Sequence, residues 1–355
     1  MVIFIGEIPI KKRRLFNVSF FTRKGIGIDL HKKYSVYTSM DVKGNIIKQK
    51  RVEHDSKDLD EFVSSLNEED NIAMESTINW YYFYELFESK TPNISLAHPA
   101  KTKVIASAKL KNDKVDSKML AHLLRTDLLP EAYIPSRETR DLRELLRYRA
   151  SLVRFRTQIK NKIHAILSKN GIIFPYSDLF GKAGMAFLKE LELRESYRHP
   201  LDGYLSIIQA INIQIKDVSE SIDHIAELDE KAQLLISIPG IAEYSALLIL
   251  SEIGDVSRFP RENNIVSYAG LAPSVRSSGG KTYHGHITKQ GSRWLRWILI
   301  QAVPHVVVSS PDYQRLYNKL VARKGKGTAK VAIARKLLIA IYYMLQRGER
   351  FSNGH

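Results

Sequence analysis

The chain has 355 residues and a formal net charge of +16, and its length allows two domains with separate cores. Such an excess of Lys and Arg favours a polyanionic partner, of which nucleic acid is the usual example. The absence of cysteine excludes disulfides, thiolate zinc sites and cysteine nucleophiles.

The basic charge is concentrated in the C-terminal part of the chain. Residues 25–130 contain 15 Lys and Arg against 16 Asp and Glu, whereas residues 280–350 contain 14 against 2. This distribution predicts metal chemistry in the first region and phosphate binding in the second. No apolar run approaches the roughly 18 residues needed to cross a bilayer, so we expect a soluble intracellular protein with no membrane partner.

Strand and helix signals follow one another in the N-terminal third. Residues 1–24 form a leader, which is an edge strand, a flexible basic arm or an extension, and we assign it no function. From Gly25, strand patterns flank a turn at Gly44 and Asn45, and Ser56 then opens a helix. The segments NIAMES, INWYYFYELFES, NISLAHP and VDSKMLAHLLRTD predict a strand, a helix, a strand and a helix. This order indicates an α/β domain over residues 25–134, with a mixed sheet flanked by helices as in ribonuclease-H-like nucleases.

Residues 135–235 predict a long helical connector that resembles a coiled coil. One long charged helix, or a pair of helices, covers residues 137–170. A second helix over residues 200–235 has apolar residues every three or four positions. This seam would pack within a hairpin of one chain or also between chains in a dimer, and the sequence leaves both open. The residues of the seam are Leu205, Ile208, Ile211, Ile215, Val218, Ile222 and Ile225.

Residues 236–350 predict a mostly helical C-terminal domain. The segment SIPGIAEYSALLILSEIG resembles one helix-hairpin-helix unit, in which a turn at Gly240 would present backbone N–H groups to a phosphate. A further helix is expected near residues 329–346. We expect Trp294 and Trp297 to belong to the core rather than to stack on bases. Candidate phosphate contacts, which are otherwise solvated surface charges, are Arg276, Lys281, Lys289, Arg293 and Arg296.

Four acidic residues form a candidate metal site. Asp29 ends one apolar strand and Glu75 ends another, so their carboxylates would meet at one sheet edge if the strands are adjacent. Asp113 and Asp116 are three residues apart at a helix start and share a face. Such oxygen ligands suit Mg²⁺ or Mn²⁺, which could orient a nucleophile and stabilise a leaving oxygen in phosphoryl transfer. Each acid alone also has a structural explanation, such as Asp113 acting as an N-cap, but unpaired charges in apolar strands are costly.

Ser278 is a candidate nucleophile. It lies in SSGGK, between Arg276 and Lys281, and is followed by two glycines. Glycines let a phosphate approach the backbone, and cations stabilise negative charge in the transition state. A serine that attacks phosphorus forms a phosphoserine, which conserves bond energy for rejoining. Ser277 could take the same role, and an ordinary surface loop rich in serine and glycine would show the same pattern.

The arrangement as a whole resembles a known family, the DEDD-type transposases of the IS-one-ten group of insertion sequences, described as bridge-RNA-guided recombinases. The resemblance extends from Gly25 to about Arg347. It rests on the order and spacing of GIDLHK, the MES strand end, KNDKVDSKMLA, SIPGI, YAGLAP followed by SGG, and ITKQGSRWLR. Only the 24-residue leader departs from the pattern.

The resemblance implies roles for the candidate residues and for partners. Asp29, Glu75, Asp113 and Asp116 would be the tetrad of a RuvC-like domain that binds Mg²⁺ (or Mn²⁺), and Ser278 would be the nucleophile. In the family the two parts form a composite site across protomers, and helical segments assemble dimers and tetramers. The partners would be DNA and a structured non-coding RNA that pairs with donor and target DNA, in a cytoplasmic, nucleoid-associated location. Base pairing would explain why the chain has no conventional module for reading sequence.

Three functional hypotheses follow. The first is a recombinase that excises and inserts its own mobile element through a phosphoserine. The second is a RuvC-like Holliday-junction endonuclease in which the acidic residues activate water. The third is a non-catalytic nucleic-acid-binding protein, which would leave the acidic positions unexplained.

Overall fold

The computed structural model of the chain describes residues 24–105, 112–278 and 281–351. Residues 1–23 of the predicted leader and the two glycines after Ser278 lie outside these ranges. The chain divides into two compact units, the first ending at Ile134 and the second beginning at Pro135.

The first unit is built on a mixed six-stranded sheet in the order β3-β2-β1-β4-β5-β6. β1 is antiparallel to β2 and parallel to β4, β4 is parallel to β5, and β2 with β3 and β5 with β6 form antiparallel pairs. This topology confirms the predicted mixed sheet. The strands are β1 (Gly25–Leu30), β2 (Tyr34–Met40), β3 (Ile46–Glu53), β4 (Asn71–Glu75), β5 (Ile94–Ala97) and β6 (Glu131–Ala132).

Helices cover both faces of this sheet. Alternate residues of a strand point to opposite faces, so Ile72 and Met74 of β4 belong to one core and Ala73 to another. The first core includes the buried side chains of α1 and α2, and the second includes Leu120 and Leu124 of α4. The helices are α1 (Lys57–Ser64), α2 (Trp80–Glu88), α3 (Pro99–Ile105) and α4 (Asp113–Arg125).

The start of α4 differs from the prediction. The N-cap is Asn112, whose side-chain oxygen accepts a hydrogen bond of 2.9 Å from the backbone N–H of Val115. The hypothesis that Asp113 caps this helix is therefore wrong. Asp113 is instead the first residue of the helix, so its carboxylate is not used in capping.

The second unit is mostly helical, as predicted, with one two-stranded hairpin. Within the described residues, no helix combines the length and the apolar composition needed to cross a bilayer. The elements are α5 (Arg137–Lys169), α6 (Lys182–Glu190), α7 (Glu195–Leu228), α8 (Glu230–Ile236), α9 (Glu243–Ile253), α10 (Glu262–Tyr268), β7 (Pro273–Ser278), β8 (Lys281–Ile287), α11 (Arg293–Ser309) and α12 (Pro311–Arg347).

The predicted seam lies on α7, which packs against α5 within the chain. Most of its apolar residues are buried, but Ile225 is 37% exposed and the neighbouring Ala226 is buried instead. The helix ends at Leu228, and Asp229 caps α8 by accepting a hydrogen bond from the backbone N–H of Ala232. The single helix predicted over residues 200–235 is therefore two helices.

The two tryptophans of α11 and the turn at Gly240 differ in part from what the sequence predicts. Trp294 is half-buried against the main core, whereas Trp297 is 40% exposed, so the assignment of both to the core is wrong for Trp297. Gly240 joins α8 to α9 with a φ of 89°. A Cβ at this position would lie 2.3 Å from Cβ of His305 in α11, so close packing alone requires glycine here.

Candidate functional site

The candidate site begins where two neighbouring parallel strands end. Ile28 of β1 pairs in register with Met74 of β4, and the next residues along these strands are Asp29 and Glu75. Because the carboxyl ends of parallel strands meet at the same edge of a sheet, both acids lie at one edge. Asp29 is only 6% exposed.

The first turn of α4 brings two more acids to the same edge. Asp113 and Asp116 lie three residues apart and face the ends of β1 and β4. Together the two strand ends and this turn enclose a cavity of about 400 Å³. The residues that line it are Asp29, Leu30, His31, Glu75, Thr77, Asn112, Asp113 and Asp116.

Contacts between α4 and the sheet fix the position of these acids. Thr38 of β2 and Ser117 of α4 form a buried hydrogen bond of 2.8 Å between their hydroxyl oxygens. Gln49 of β3 donates to the Thr38 hydroxyl and to the backbone carbonyl of Lys114. These bonds hold the first turns of α4 over β1 and β2, one turn from the acidic side chains.

His31 lies between two of the acids. Its Nε2 is 3.1 Å from Oδ2 of Asp29 and 3.3 Å from Oδ2 of Asp113. Its side chain is 35% exposed, while that of Asp29 is 9% exposed. One imidazole nitrogen therefore faces carboxylates from a strand and from a helix at the same time.

Tyr34 also contacts Asp113. Its hydroxyl donates a hydrogen bond of 3.0 Å to Oδ2 of Asp113. Its ring stacks on the imidazole of His31 with 4.6 Å between centroids, and the guanidinium of Arg51 lies 3.6 Å from the ring centroid. The three side chains thus support one another in a stack beside the cavity.

The electrostatics of the cavity favour a cation. Burial raises the pKa of the Asp29 carboxyl above its ordinary value, and the charges of Asp113 and Asp116 raise it further, although His31 opposes them. A carboxylate that is buried among other carboxylates is stabilised when a cation neutralises them. The oxygen donors around this cavity therefore fit a divalent metal ion, with His31 as an additional nitrogen donor.

The predicted residues of the C-terminal region are described less completely. Ser278 is the last residue of β7, and its backbone pairs with that of Lys281 at the start of β8. The side chains of both, and those of Arg276 and Ser277, lie outside the described residues. Among the predicted site residues, the described side chains that cluster in one cavity are the four acids.

The remaining candidate phosphate contacts differ in exposure. Lys289 and Arg293 are exposed to solvent. Arg296 is partly buried, and its Nη1 donates a hydrogen bond of 2.8 Å to the backbone carbonyl of Ala269. Because one of its N–H groups is used in this bond, Arg296 has fewer donors available for a phosphate.

Four residues that line or support the cavity have no role predicted from the sequence: His31, Tyr34, Thr77 and Asn112. A local signal for His31 was present, because it follows Asp29 by only two residues, directly after β1 ends, and its side chain can reach the same carboxylate. Tyr34 and Asp113 are 79 residues apart, and no local pattern connects them.

Two family models match successive parts of the chain. A DEDD-type model with the description "Transposase" matches residues 26–172, and one described as "Transposase IS116/IS110/IS902 family" matches residues 232–318. The first match contains the sheet, the acidic cavity and α5. Its DEDD domain is ribonuclease-H-like, in agreement with the mixed six-stranded sheet.

Two curated transposases match this chain over nearly its full length, and a third relative matches part of it. The transposase for insertion sequence element IS1111A of Coxiella burnetii is 26% identical, over 97% of this chain and 94% of the relative. The transposase for insertion sequence element IS1328 of Yersinia enterocolitica is 27% identical, over 92% and 98%. A pilin gene-inverting protein of Moraxella bovis is 36% identical over 35% of this chain and 40% of its own length.

A DEDD transposase domain implies a divalent metal, and the acidic cavity offers suitable donors. The two family models and the near full-length relatives all indicate the same class of enzyme. The chain belongs to the IS110/IS116 family of insertion-sequence transposases, which are enzymes that act on DNA.

Proposed function

We propose that this transposase excises and inserts its own mobile element by cleaving and rejoining DNA strands. Asp29, Glu75, Asp113 and Asp116 would hold Mg²⁺ or Mn²⁺. The observation that carries this proposal is the single cavity that all four carboxylates line. When bound, the cation would supply positive charge that offsets the charge developing on the phosphate during transfer.

The protein side chains of the cavity have their own tasks in this proposal. The burial of Asp29 and the hydrogen bond from Tyr34 to Asp113 keep two of the carboxylates in fixed orientations. Preorganised groups of this kind need no rearrangement when the substrate arrives.

Ser278 would be the nucleophile, with a covalent phosphoserine as the intermediate. Its Oγ–H would lose its proton to water, the Oγ–P bond would form, and the bond from phosphorus to the leaving sugar oxygen would break, with that oxygen taking up a proton from water to become a hydroxyl. The phosphodiester energy would then be conserved for rejoining. Support comes from the strongly basic region around this serine and from the gene-inverting relative, since inversion of a segment requires rejoining as well as cleavage.

The C-terminal region would bind the nucleic-acid backbone. Gly240, between α8 and α9 in a helix-hairpin-helix-like segment, would offer backbone N–H groups to a phosphate. The exposure of Lys289 and Arg293 supports their part in this role. The full set of proposed contacts is Gly240, Arg276, Lys281, Lys289, Arg293 and Arg296.

The proposed partners are DNA at the element ends and the target, a structured non-coding RNA, and further copies of this chain in a dimer or tetramer. The proposed division is a catalytic domain over residues 25–134, a connector that mediates assembly over residues 135–235, and a nucleophile-bearing domain over residues 236–350. Exposed apolar residues on the two long helices of the connector, such as Phe155 and Ile213, support a role in assembly. The protein would act in the cytoplasm, associated with the nucleoid.

The serine mechanism is tested by trapping the protein–DNA adduct. The protein is incubated with Mg²⁺, the circular junction DNA of the element and RNA transcribed from the element ends, and the products are run on a denaturing gel. We expect a protease-sensitive DNA-linked band with wild type and with the matched control Ser277→Ala, and no such band with Ser278→Ala. An adduct that survives Ser278→Ala but not Ser277→Ala would transfer the role to Ser277.

The second candidate function is a Holliday-junction endonuclease. The observation that favours it is that the residues lining the acidic cavity all belong to the first unit, as a nuclease that activates water requires. In that case the same gel would show nicked DNA without any adduct in all three lanes.

A further inference from the structure

We infer that His31 is a direct ligand of the catalytic cation, so that Asp29, His31 and Asp113 form a mixed nitrogen and oxygen site that selects Mn²⁺ over Mg²⁺. This inference rests on the proposed function, because it concerns the cation of the same cavity. It adds a ligand to the four carboxylates and names the metal that the site prefers.

The donor atoms of Asp29, His31 and Asp113 lie close together. Nε2 of His31 lies 3.1 Å from Oδ2 of Asp29 and 3.3 Å from Oδ2 of Asp113, and the three atoms all lie within 4.8 Å of one another. In an octahedral site with bonds of about 2.1 Å, adjacent ligand atoms are separated by roughly 3.0 Å. The two separations from the imidazole nitrogen therefore match the edges of an octahedral coordination shell.

The imidazole nitrogen of His31 faces more acceptors than it can serve with one proton. A single imidazole nitrogen carries at most one proton, so it donates one good hydrogen bond. Here the same nitrogen faces two carboxylate oxygens at similar distances. The Tyr34 hydroxyl also donates to Oδ2 of Asp113, so hydrogen bonds reach both oxygens, but they leave two negative charges close together. A cation bound by all three atoms would neutralise both carboxylates at once.

Surrounding contacts hold His31 in place. The backbone N–H of His31 donates to the carbonyl of Tyr34, and Asn79 donates to the carbonyl of His31. The ring stacks on Tyr34, which is itself covered by Arg51. Metal-binding side chains are commonly oriented by such surrounding contacts, which fix the ligand before the metal arrives.

A nitrogen ligand changes the preference of the site. Mg²⁺ is a hard cation that binds almost entirely through oxygen, whereas first-row transition cations accept imidazole more readily. Replacing His31 with a residue that lacks this nitrogen should therefore weaken Mn²⁺ more than Mg²⁺. The same substitution should leave the four carboxylates able to bind either ion.

The test uses the full-length protein with Mn²⁺ as the probe. Pulsed electron paramagnetic resonance of bound Mn²⁺ detects hyperfine coupling to a directly bound imidazole nitrogen. We expect this coupling in wild type and in the matched control His122→Gln, a histidine of α4 outside the cavity lining, and its loss in His31→Gln. Calorimetry should show a rise of about tenfold in the Mn²⁺ Kd of His31→Gln and a smaller rise in the Mg²⁺ Kd.

A second variant distinguishes loss of the nitrogen ligand from loss of folding. His31→Asp restores a donor as oxygen, so it should bind Mg²⁺ at least as well as wild type while it lacks the nitrogen coupling. Wild-type protein that binds Mn²⁺ without nitrogen coupling would overturn the role of His31 and leave the proposed carboxylate site intact, provided that Asp29→Asn abolishes the binding. If Asp29→Asn binds Mn²⁺ as wild type does, both this inference and the proposed metal site are wrong.

Discussion

Asp29 shows at the scale of one residue how the proposed metal site can oppose stability. The carboxyl group is buried, and burial raises its pKa above the ordinary value of 3.8, with Asp113 and Asp116 acting in the same direction. Because the folded protein then holds this proton more tightly than the unfolded chain, the free energy of unfolding falls as the pH rises from the unfolded pKa through the folded one. At neutral pH, without a metal, the ionised and buried Asp29 carboxylate therefore lowers the free energy of unfolding by its full amount.

We therefore expect Asp29→Asn to raise the Tm of the metal-free protein at neutral pH by about 1–3 °C while it abolishes DNA cleavage. The gain should shrink as the pH is lowered toward 3.8, where the wild-type carboxyl is protonated as well. Differential scanning calorimetry in a chelating buffer measures both effects. A lower Tm for the variant at neutral pH would mean that the contact with His31 outweighs burial.

The candidate site was only partly predictable at this scale. Asp29 and Glu75 could be found because a charge at the end of an apolar strand is unusual in the sequence itself. Asp113 was found as an acid at a helix start, but its role as an N-cap was assigned wrongly, because Asn112 stands one residue earlier and competes for the same backbone donor. Tyr34 could not be found, since its contact with Asp113 forms only when α4 packs on the sheet.

At the scale of elements, the site depends on how closely α4 approaches β1. A Cβ on Gly27 would lie 2.2 Å from the backbone carbonyl oxygen of Ser117 and 2.3 Å from the backbone nitrogen of Ala121. These are backbone atoms of a helix, which cannot move aside individually. Any side chain at this position would displace the whole helix, and with it Asp113 and Asp116.

Gly27→Ala should therefore lower the free energy of unfolding by about 1–3 kcal/mol and weaken Mn²⁺ binding at least tenfold. The matched control is Gly25→Ala in the same strand, where the nearest atom to an added Cβ is 3.7 Å away, an ordinary contact. Urea denaturation and calorimetry measure the two quantities. Equal effects of both substitutions would show that loss of glycine in the strand, rather than the displacement of α4, is responsible.

The elements themselves were largely predictable, and the exceptions have a common cause. The succession of strands and helices in the first unit, the mixed sheet and the two long helices followed from local sequence patterns, whereas the order of the strands within the sheet did not. The break at Asp229 was missed because the apolar spacing continues across it, and Ile225 was placed in the seam although Ala226 is the buried residue. Trp297 is exposed on α11 because neighbouring positions such as Ile298 face the core. Apolar periodicity indicates which face of a helix is buried. The neighbouring elements decide which residues at the edge of that face are buried and which are exposed.

At the scale of the whole molecule, part of the positive charge of the C-terminal region lies on exposed lysines of α12. This helix is interrupted at Gly325, where φ is 78°, and the surrounding lysines are exposed. An added Cβ at Gly325 or at Gly327 would meet no atom within 4 Å, so packing does not explain either glycine. Exposed backbone next to exposed lysines is suited to contact with the phosphate backbone of a nucleic acid.

We expect removal of three of these lysines to reduce the salt dependence of binding to duplex DNA. Each phosphate contact contributes about 0.9 to the slope of log K against log salt concentration, so loss of three contacts should lower the slope by roughly 3. Fluorescence anisotropy over a series of salt concentrations measures this slope. The substitutions are Lys324→Gln, Lys326→Gln and Lys330→Gln.

A control with the same change in net charge separates local contact from overall attraction. Three exposed lysines of the first unit are replaced instead, and the slope should then change by less than about 1, because charges remote from the DNA release no counterions from it. The control substitutions are Lys48→Gln, Lys57→Gln and Lys103→Gln. If the two triple variants lower the slope equally, the net charge of the molecule governs binding and α12 has no special part in it. If only the α12 variant lowers it, the basic C-terminal region binds DNA through particular side chains, and the acidic cavity of the first unit remains free for the metal.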